Sequence, residues 1–394
     1  MMKRDSYLND LISFKDKNLI KVITGIRNCG KSTLFELYKD YLLQRGVKQE
    51  CIISVNLEKA DFIKNSEQLY TYVKKQMLEN QKHYILLDEV QHVENFQEAI
   101  VWLYTDKMID LYIIGSNACL LSGKSATLLS GRYVEIKMMP LSFKEYCSNF
   151  PKQSNTSHLY LDYITNSSFP RTLELPHEAD IRLYLEGIYY TVLMEDILAR
   201  KEINESSLLK SIVEFIFDNI GNVISSNEIA NILASNGRKI NASTIEAYLS
   251  ALCDSYIVYK VYQYDVKRKQ YLANSVKYYI CDIGLRYYLS GIRLLDMEHV
   301  LENVVYLELL RRRYKVYIGK IGDIEVDFIA INIKGVEYYQ VTQTVLDPKT
   351  LKQELSSLEA IKDHNPKYLL TMDYTPLTSY NGIRQINVLE WLLK

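Results

Sequence analysis

The sequence is poor in the features that mark several common classes of protein. It has six cysteines without a CxxC pair, and six histidines that do not cluster at the spacing of metal ligands. These absences predict a reducing compartment and argue against structural zinc. Only 15 glycines and seven prolines are present among 394 residues, and 24% of the residues are charged. Neither a fibrous repeat nor a disordered chain is therefore indicated.

Long apolar runs are also missing. No stretch approaches the roughly 18 apolar residues of a membrane span, and the opening segment MMKRDSYLND lacks the apolar core of a signal peptide. The formal net charge is −1, so binding to nucleic acid would have to come from local basic patches. These features predict a cytoplasmic protein without a membrane partner.

The clearest positive signal is a glycine-containing segment near the start of the chain. The apolar run LIKVIT is followed by GIRNCGKST and then by the helix-like run STLFELYKDYLLQ. This spacing, GxxxxGK[ST], is that of a strand that ends in a loop and opens a helix, so that several backbone N–H groups point at one phosphate. We therefore predict that ATP binds to the nine loop residues Gly25, Ile26, Arg27, Asn28, Cys29, Gly30, Lys31, Ser32 and Thr33.

The small and polar residues of this loop have separate predicted roles. Gly25 and Gly30 let the loop curl without a Cβ in the way. Lys31 reaches the β- and γ-phosphates, and the Ser32 hydroxyl is a ligand of Mg²⁺. The alternative is a glycine-rich turn with a surface lysine, but the strand before the motif and the helix after it argue against this interpretation.

A second strand supplies an acidic pair. The run HYILLDEVQ places Asp88 and Glu89 after an apolar segment. Asp88 is predicted to orient the Mg²⁺ ligands and Glu89 to polarise the attacking water. An ordinary exposed strand end is the alternative, although the distance from the loop leaves room for one more strand, CIISVNL, and a helix. Asn56 closes that strand and is predicted to contact and gate Glu89.

Further candidates could sense or stabilise charge on the reacting phosphate. The strand DLYIIGSNA ends in Ser116 and Asn117, which would lie beside Asp88, or else form a plain turn. Arg132 in LLSGRYVEI could meet charge on the transferring phosphoryl group, either in its own subunit or in a neighbouring one. A structural ion pair is the alternative for Arg132, and Arg27 is a second arginine candidate.

In this order, the motifs resemble those of the prokaryotic AAA-type ATPases that carry a C-terminal domain of unknown function. The resemblance rests on TGIRNCGKST, LLDEVQ, IIGSNACLLS and LLSGRYVEIKMMPLSFKEY, and it continues through MEDILAR, KYYICDIGLR, LENVVYLELLRRRY and EVDFIA. It implies a P-loop ATPase joined to a winged helix and a restriction-endonuclease-like domain. One departure is TNSSFPRTLE, where family members tend to have a glycine-rich segment before the proline.

The predicted fold class is α/β, with a parallel-sheet P-loop core, a helical lid, a winged helix and a C-terminal α/β restriction-endonuclease-like domain. A chain of 394 residues exceeds what one hydrophobic core usually organises, so several domains are expected. We expect the ATPase core at 1–139, the lid and linker at 140–204, the winged helix at 205–290 and the nuclease-like domain at 291–394. Such a lid would convert hydrolysis into movement.

The winged helix is predicted from three helices and a hairpin. Wing strands are expected at Val258–Tyr264 and Lys277–Ile280, and Asn241 or Ser243 is expected to cap the third helix. That helix carries Glu246 and no basic residue that could read bases, so DNA binding without sequence readout and binding of a protein partner both stay open. The basic residues available for phosphates are Lys267, Arg268 and Lys269 at the wing tip, and Arg238 and Lys239 before the third helix.

The C-terminal segment carries an incomplete nuclease pattern. A helix supplies Glu302 and Glu308, a strand supplies Asp327, and the next strand carries Gln-x-Thr ending at Thr342. The endonuclease core that this pattern resembles has a lysine in place of Thr342, which positions water beside carboxylate-bound Mg²⁺. We therefore predict a degenerate domain that is structural or grips DNA. Alternatively, the basic run at 311–313 satisfies the charge of Asp327.

The predicted function is that of an ATP-binding and ATP-hydrolysing AAA-type ATPase that uses Mg²⁺ and couples turnover to conformational change on DNA or a protein partner. The alternative is a nucleotide-dependent switch with little hydrolysis, whose C-terminal domain is a degenerate nuclease fold. Glu89 favours turnover, because a switch needs no group to activate water. A homo-oligomer is compatible with the sequence, and Arg132 would require one in order to act on a neighbouring subunit.

Overall fold

The structure is a computed structural model that describes Met2 and residues 4–115, 127–198, 205–235, 240–268, 270–291, 297–376 and 378–394. The chain forms two compact units. Unit 1 comprises Met1–Pro140 and Asp254–Tyr256, and unit 2 comprises Leu141–Cys253 and Ile257–Lys394. Within the described residues, no helix combines the length and the apolar character needed to cross a bilayer.

Unit 1 is built on a five-stranded sheet in the order β2-β3-β4-β1-β5, and all of its strand pairs are parallel. The strands are β1 (Ile20–Thr24), β2 (Ile52–Asn56), β3 (His83–Asp88), β4 (Ile109–Ile114) and β5 (Tyr133–Lys137). The helices are α1 (Asp5–Ser13), α2 (Lys31–Gln44), α3 (Ser66–Gln76) and α4 (Phe96–Tyr104), with short 3₁₀ turns at Gln49–Cys51 and Val90–His92.

The central strands are mostly apolar because both faces of a parallel sheet are covered in this fold class. Every residue of β1 and β3 is buried, and Ile20, Val22, Ile85 and Leu87 join side chains of β4, α3 and α4 in one hydrophobic cluster. The parallel α/β core expected from the sequence is therefore confirmed. Since the strands run in the same direction, the residues that follow β1 and those that end β3 emerge at the same edge of the sheet.

Unit 2 contains a nine-stranded mixed sheet in the order β13-β14-β12-β11-β10-β9-β7-β8-β6. Its strands are β6 (Val223–Ile224), β7 (Val258–Asp265), β8 (Gln270–Ile280), β9 (Lys315–Ile321), β10 (Ile324–Asn332), β11 (Gly335–Thr342), β12 (Lys367–Thr371), β13 (Thr378–Tyr380) and β14 (Ile383–Asn387). Strand β7 pairs in parallel with β9 over Gln263–Asp265. The segments 205–290 and 291–394, which we expected to form separate domains, thus contribute to one sheet.

The helices of unit 2 lie, in chain order, before the first strand of this sheet, between its strands and after its last strand. They are α5 (Phe143–Cys147), α6 (Thr156–Thr165), α7 (Glu178–Thr191), α8 (Ser206–Asp218), α9 (Ser226–Ser235), α10 (Ala242–Asp254), α11 (Ile283–Ser290), α12 (Met297–Arg311), α13 (Pro348–Glu359) and α14 (Val388–Leu393), with a 3₁₀ turn at Pro170–Glu174 and a π-helical turn at Val192–Leu198. Asn241 caps α10 as expected, because its Oδ1 accepts from the Thr244 N–H at 2.7 Å.

The segment expected to form a lid packs against α11 within unit 2. The backbone N–H and the hydroxyl of Ser168 both donate to Asp282, the N-cap residue of α11, at 2.6 Å. A Cβ placed on Gly284 would lie 2.4 Å from the Ser167 nitrogen, so the two backbones are in close contact. Ser167 adopts a φ of 81°, which glycine adopts without strain. This left-handed residue lies in TNSSFPRTLE, where the resembled family tends to carry glycine.

Candidate nucleotide-binding site

The loop between β1 and α2 has the backbone shape that its glycines and asparagine allow. Gly25 has a φ of 141°, and a Cβ there would lie 2.0 Å from the Met138 carbonyl oxygen. Asn28 and Gly30 also have positive φ values, of 62° and 102°, and Gly30 caps α2. Asparagine and glycine tolerate this region best. The chain therefore turns tightly enough to bring successive N–H groups to the start of a helix.

Lys31 is the first residue of α2 and is 5% exposed. Its Nζ donates to the carbonyl oxygens of Gly25 and Ile26, both at 2.8 Å. An ammonium group has three N–H donors, so these two bonds hold the side chain inside the loop and leave a third donor for a phosphate oxygen. The neighbouring Ser32 and Thr33 side chains are exposed on the first turn of the helix.

Asp88 ends β3 and is 6% exposed. Its Oδ2 accepts from Asn56 Nδ2 at 3.1 Å, whereas its buried Oδ1 has no hydrogen-bond partner. Burial raises the pKa of Asp88, the charge of Glu89 adds to this, and the Ser32 hydroxyl, the Asn56 amide and the Lys31 charge oppose it. A buried carboxylate oxygen without a donor, close to the Ser32 hydroxyl, suits a divalent cation with oxygen ligands. The residues present therefore fit Mg²⁺.

The partner found for Asn56 corrects one expectation. We expected Asn56 to contact Glu89, but its amide donates to Asp88. The sheet register explains this, because Asn56 on β2 lies directly opposite Asp88 on β3. Asn56 therefore orients the candidate metal ligand.

Glu89 follows Asp88 in a left-handed conformation, with a φ of 54°. A non-glycine residue in this region costs on the order of 1–3 kcal/mol and is often found at functional sites. The half-buried Glu89 side chain accepts a hydrogen bond from Gln91 Nε2. Gln91, which the sequence did not single out, thus holds the carboxylate that is predicted to polarise water.

The two arginine candidates lie in different places. Arg27 is in the loop itself, with its Nη1 3.9 Å from Glu58 Oε1. Arg132 precedes β5, and its carbonyl accepts from the N–H of Ile20, the first residue of β1. The loop follows the other end of β1, so four residue steps of roughly 3.3 Å separate the two positions. The exposed Arg132 side chain donates to the Leu128 carbonyl at 3.2 Å, at the opposite edge of the sheet.

This position argues against a role for Arg132 at the loop of its own subunit. Its action on a neighbouring subunit stays a prediction. The other candidates of this group, Ser116 and Asn117, lie outside the described residues.

Sequence reasoning missed Arg4, which contacts the loop from the residue before α1. Its guanidinium donates to the carbonyl oxygens of Cys29, at 2.9 Å, and Met139, at 2.7 Å. Arg4 is 2% exposed, and its guanidinium lies 4.9 Å from the centre of the Tyr7 ring. The only signal in the sequence is a basic residue before an amphipathic helix, which does not reveal a contact 25 residues away.

The residues of the expected nuclease pattern lie in unit 2, where the side chain of Lys277 pairs with one of them, Glu302. Glu302 on α12 is buried, and its Oε1 lies 3.0 Å from Lys277 Nζ and accepts from the Tyr279 hydroxyl. Lys277 comes from β8 and also lies 2.6 Å from Glu325 on β10. Among the described residues, no group of three His, Cys, Asp or Glu side chains could hold a metal ion. The Lys277 ammonium group thus pairs with both Glu302 and Glu325.

Asp327 lies beside this cluster at an irregularity in the pairing of β10 with β9, between Val326 and Ile329. Its Oδ2 accepts from the Val341 N–H at 2.7 Å. Burial and the charge of Glu302 raise the pKa of Asp327 well above its usual value, while the charge of Lys277 opposes the shift.

The basic run at 311–313 was the alternative partner for Asp327. Two of its arginines instead approach Glu308, which lies on α12. Arg311 Nη1 lies 3.8 Å from Glu308 Oε2, and Arg312 Nε lies 2.8 Å from Glu308 Oε1. Ion pairs with Glu308 therefore account for these two positive charges.

Comparison with known proteins finds two family models that match separate parts of the chain. The model described as an AAA domain matches residues 17–147, which include the loop and Asp88, and a domain of unknown function (DUF8612) matches residues 157–296. An uncharacterised protein of Haemophilus influenzae is 39% identical over 400 residues, covering 100% of this chain and 99% of that protein. An uncharacterised protein of Methanocaldococcus jannaschii is 28% identical over 377 residues, covering 88% and 79%.

Among solved structures, a Walker-type ATPase of Pyrococcus abyssi resembles this chain with a TM-score of 0.51. The match covers 73% of this chain and 96% of that one, at 14% sequence identity. At this identity the likeness concerns the fold alone. It supports the P-loop ATPase architecture of the sheet and loop described above.

Proposed function

Because this chain belongs to the same family as the Haemophilus influenzae protein and carries an AAA domain, we propose that it binds ATP with Mg²⁺ and hydrolyses the ATP. One observation carries the proposal. Lys31, held inside a glycine loop, and Asp88, with an unpartnered buried oxygen, come to the same edge of a parallel sheet. Phosphate and metal are the groups that these two side chains are suited to hold together.

The proposed roles follow from the chemistry of each group. The loop N–H groups bind the phosphates, and the Lys31 ammonium neutralises their charge. The Ser32 hydroxyl and Asp88 Oδ1 would hold Mg²⁺, which when bound neutralises charge that develops on the phosphate oxygens. Glu89, held by Gln91, orients a water molecule and accepts its proton.

Substitution of Lys31 tests this proposal directly. Lys31→Ala should weaken ATP binding and hydrolysis together, because it removes the cation next to the β- and γ-phosphates. Lys39→Ala is a matched control, since Lys39 lies on the same helix and pairs with Glu36 at 3.8 Å. Binding is measured by equilibrium titration and hydrolysis by phosphate release. Wild-type protein that binds no ATP in the presence of Mg²⁺ would overturn the proposal.

Binding of DNA phosphates is a second proposed function, based on the hairpin of unit 2. Helices α8–α10 with β6–β8 have the element order of a winged helix. Lys267 and Arg268 are exposed at the turn of its hairpin. Glu246 on α10 lies 2.6 Å from Lys260, so this acidic helix is suited to structure more than to base readout. Three of the expected basic residues, Arg238, Lys239 and Lys269, lie outside the described residues.

A salt titration distinguishes this function from binding of a protein partner. Replacing Lys267 and Arg268 by Ala should weaken binding to duplexes of all sequences alike and reduce the dependence of log K on log salt by about 2. Lys349 and Lys352, exposed on α13, provide a control pair whose replacement should change neither value. If the wild type binds no DNA at low salt, coupling to a protein partner is the remaining proposal.

A further inference from the structure

We propose that Arg4 is a positioning residue of the nucleotide site, which directs the Gly30 N–H toward phosphate by anchoring the peptide that joins Cys29 to Gly30. The inference rests on the proposed binding of ATP. It assigns a role to the segment before α1, which contains no part of the phosphate-binding motif.

The contacts of Arg4 converge on the centre of the loop. One guanidinium nitrogen donates to the Cys29 carbonyl at 2.9 Å, and the other donates to the Met139 carbonyl at 2.7 Å. Bonds from a charged donor are shorter and stronger than those between neutral groups. Because Arg4 is 2% exposed, water does not compete effectively for these carbonyls. The loop is thereby tied to the segment that follows β5.

The geometry of the peptide bond turns this anchor into an orienting device. In a planar trans peptide, the C=O and the N–H point in opposite directions. Fixing the Cys29 carbonyl on the buried guanidinium therefore directs the Gly30 N–H away from Arg4, toward the open side of the loop. Gly30 has no side chain to obstruct this N–H, and its φ of 102° starts α2. The positive charge of the guanidinium, next to the Cys29 carbonyl, also polarises the peptide group and makes its N–H a stronger donor.

The surrounding contacts hold the anchor in place. The Met139 N–H donates to the Tyr7 hydroxyl at 3.2 Å, and the Tyr7 ring faces the guanidinium. The Cys29 thiol donates to the Met138 carbonyl at 3.5 Å, and Gly25 lies against the same carbonyl. The loop thus rests on the backbone of residues 138–139, and Arg4 joins the two segments.

Three variants test the role. Arg4→Met removes both donors, while Arg4→Lys keeps the charge but cannot reproduce the two-nitrogen fork. Arg45→Met is the control, because exposed Arg45 also lies beside a tyrosine ring, that of Tyr41, at 5.4 Å. It caps the far end of α2, about 21 Å of helix from the loop.

The measurements are the Kd of ATP and the Kd of inorganic tripolyphosphate as a competitor. Arg4→Met should raise both Kd values by a similar factor, about 10- to 100-fold. Arg4→Lys should lie between Arg4→Met and the wild type. Arg45→Met should match the wild type in both measurements.

The outcomes separate this inference from the proposed function. Wild-type binding of ATP and tripolyphosphate by a folded Arg4→Met protein, or by Arg4→Lys if Arg4→Met does not fold, would overturn the positioning role alone. A loss of ATP affinity without a loss of tripolyphosphate affinity would overturn it too, because the effect would not lie at the phosphates. A wild type that binds neither ligand would overturn the proposed function, and the inference with it.

Discussion

Replacing Gly25 by alanine should destabilise unit 1 more than the same change at a glycine that also has a positive φ but has open space around it. At Gly25, a φ of 141° strains an L-residue by about 1–3 kcal/mol. The new Cβ would also lie 2.0 Å from the Met138 carbonyl oxygen, so one backbone must move by about 1 Å to reach the 3.0 Å that Cβ contacts respect. That movement would break the bond from the Met138 N–H to Thr24, at 2.8 Å. A lost bond adds about 1 kcal/mol, which gives a total destabilisation of roughly 2–4 kcal/mol.

Gly46 provides the matched control for this prediction. Its φ is 84°, and nothing lies within 4 Å of an added Cβ, so Gly46→Ala should cost only the conformational strain of about 1–2 kcal/mol. Urea unfolding can be followed by fluorescence in a Trp391→Phe background, where Trp102 reports on unit 1 alone. Equal midpoint shifts for the two variants, together with unchanged ATP binding by Gly25→Ala, would refute the reasoning.

Three other predictions follow from buried groups. Burial raises the pKa of Asp88, so the folded state binds a proton more readily and the free energy of unfolding falls as pH rises from the ordinary carboxyl value to the raised one. Asp88→Asn should therefore show a flatter pH profile and a higher melting temperature near pH 7 without nucleotide; an unchanged profile would contradict this. Lys277→Met leaves buried Glu302 without its cation and should cost roughly 3–5 kcal/mol in urea unfolding. Adding Glu302→Gln should recover part of that loss, and no recovery would argue against the pair. The fully buried thiol of Cys29 should react with a thiol reagent only at the rate of unfolding, and fast labelling of Cys29 itself in the folded protein would contradict the loop's packing.

The core of the site could be predicted because its parts are local in sequence. The strand, loop and helix around Lys31 are consecutive, and Asp88 follows a second apolar strand whose end meets the loop at one edge of a parallel sheet. The same rule places Arg132 at the other edge, because it precedes a strand parallel to β1. Of the roles that the sequence left open for Arg132, the strand direction therefore argues against action at the loop of its own subunit.

Other features depended on contacts between distant segments. Arg4 reaches Cys29 through tertiary packing, and no periodicity in the sequence predicts such a bond. Lys277 reaches Glu302 from β8 in the same sheet, and no motif in the sequence pairs these two residues. The parallel pairing of β7 with β9 joins two segments that we expected to form separate domains. It could not be predicted, because the residue pattern of a strand does not encode which strand lies next to it in a mixed sheet.

The most direct test of ATP hydrolysis at this site is a comparison of binding and turnover in Glu89→Gln. The substitution keeps the size of the side chain, an acceptor for Gln91 and the adjacent Asp88, but it removes the base. Glu67→Gln, at an exposed position of α3, is the control. We expect Glu89→Gln to bind ATP with nearly the wild-type Kd and to hydrolyse it at least about 100-fold more slowly. Hydrolysis by Glu89→Gln at the wild-type rate would contradict the role of Glu89, and a wild type that binds ATP without hydrolysing it would favour a nucleotide-dependent switch.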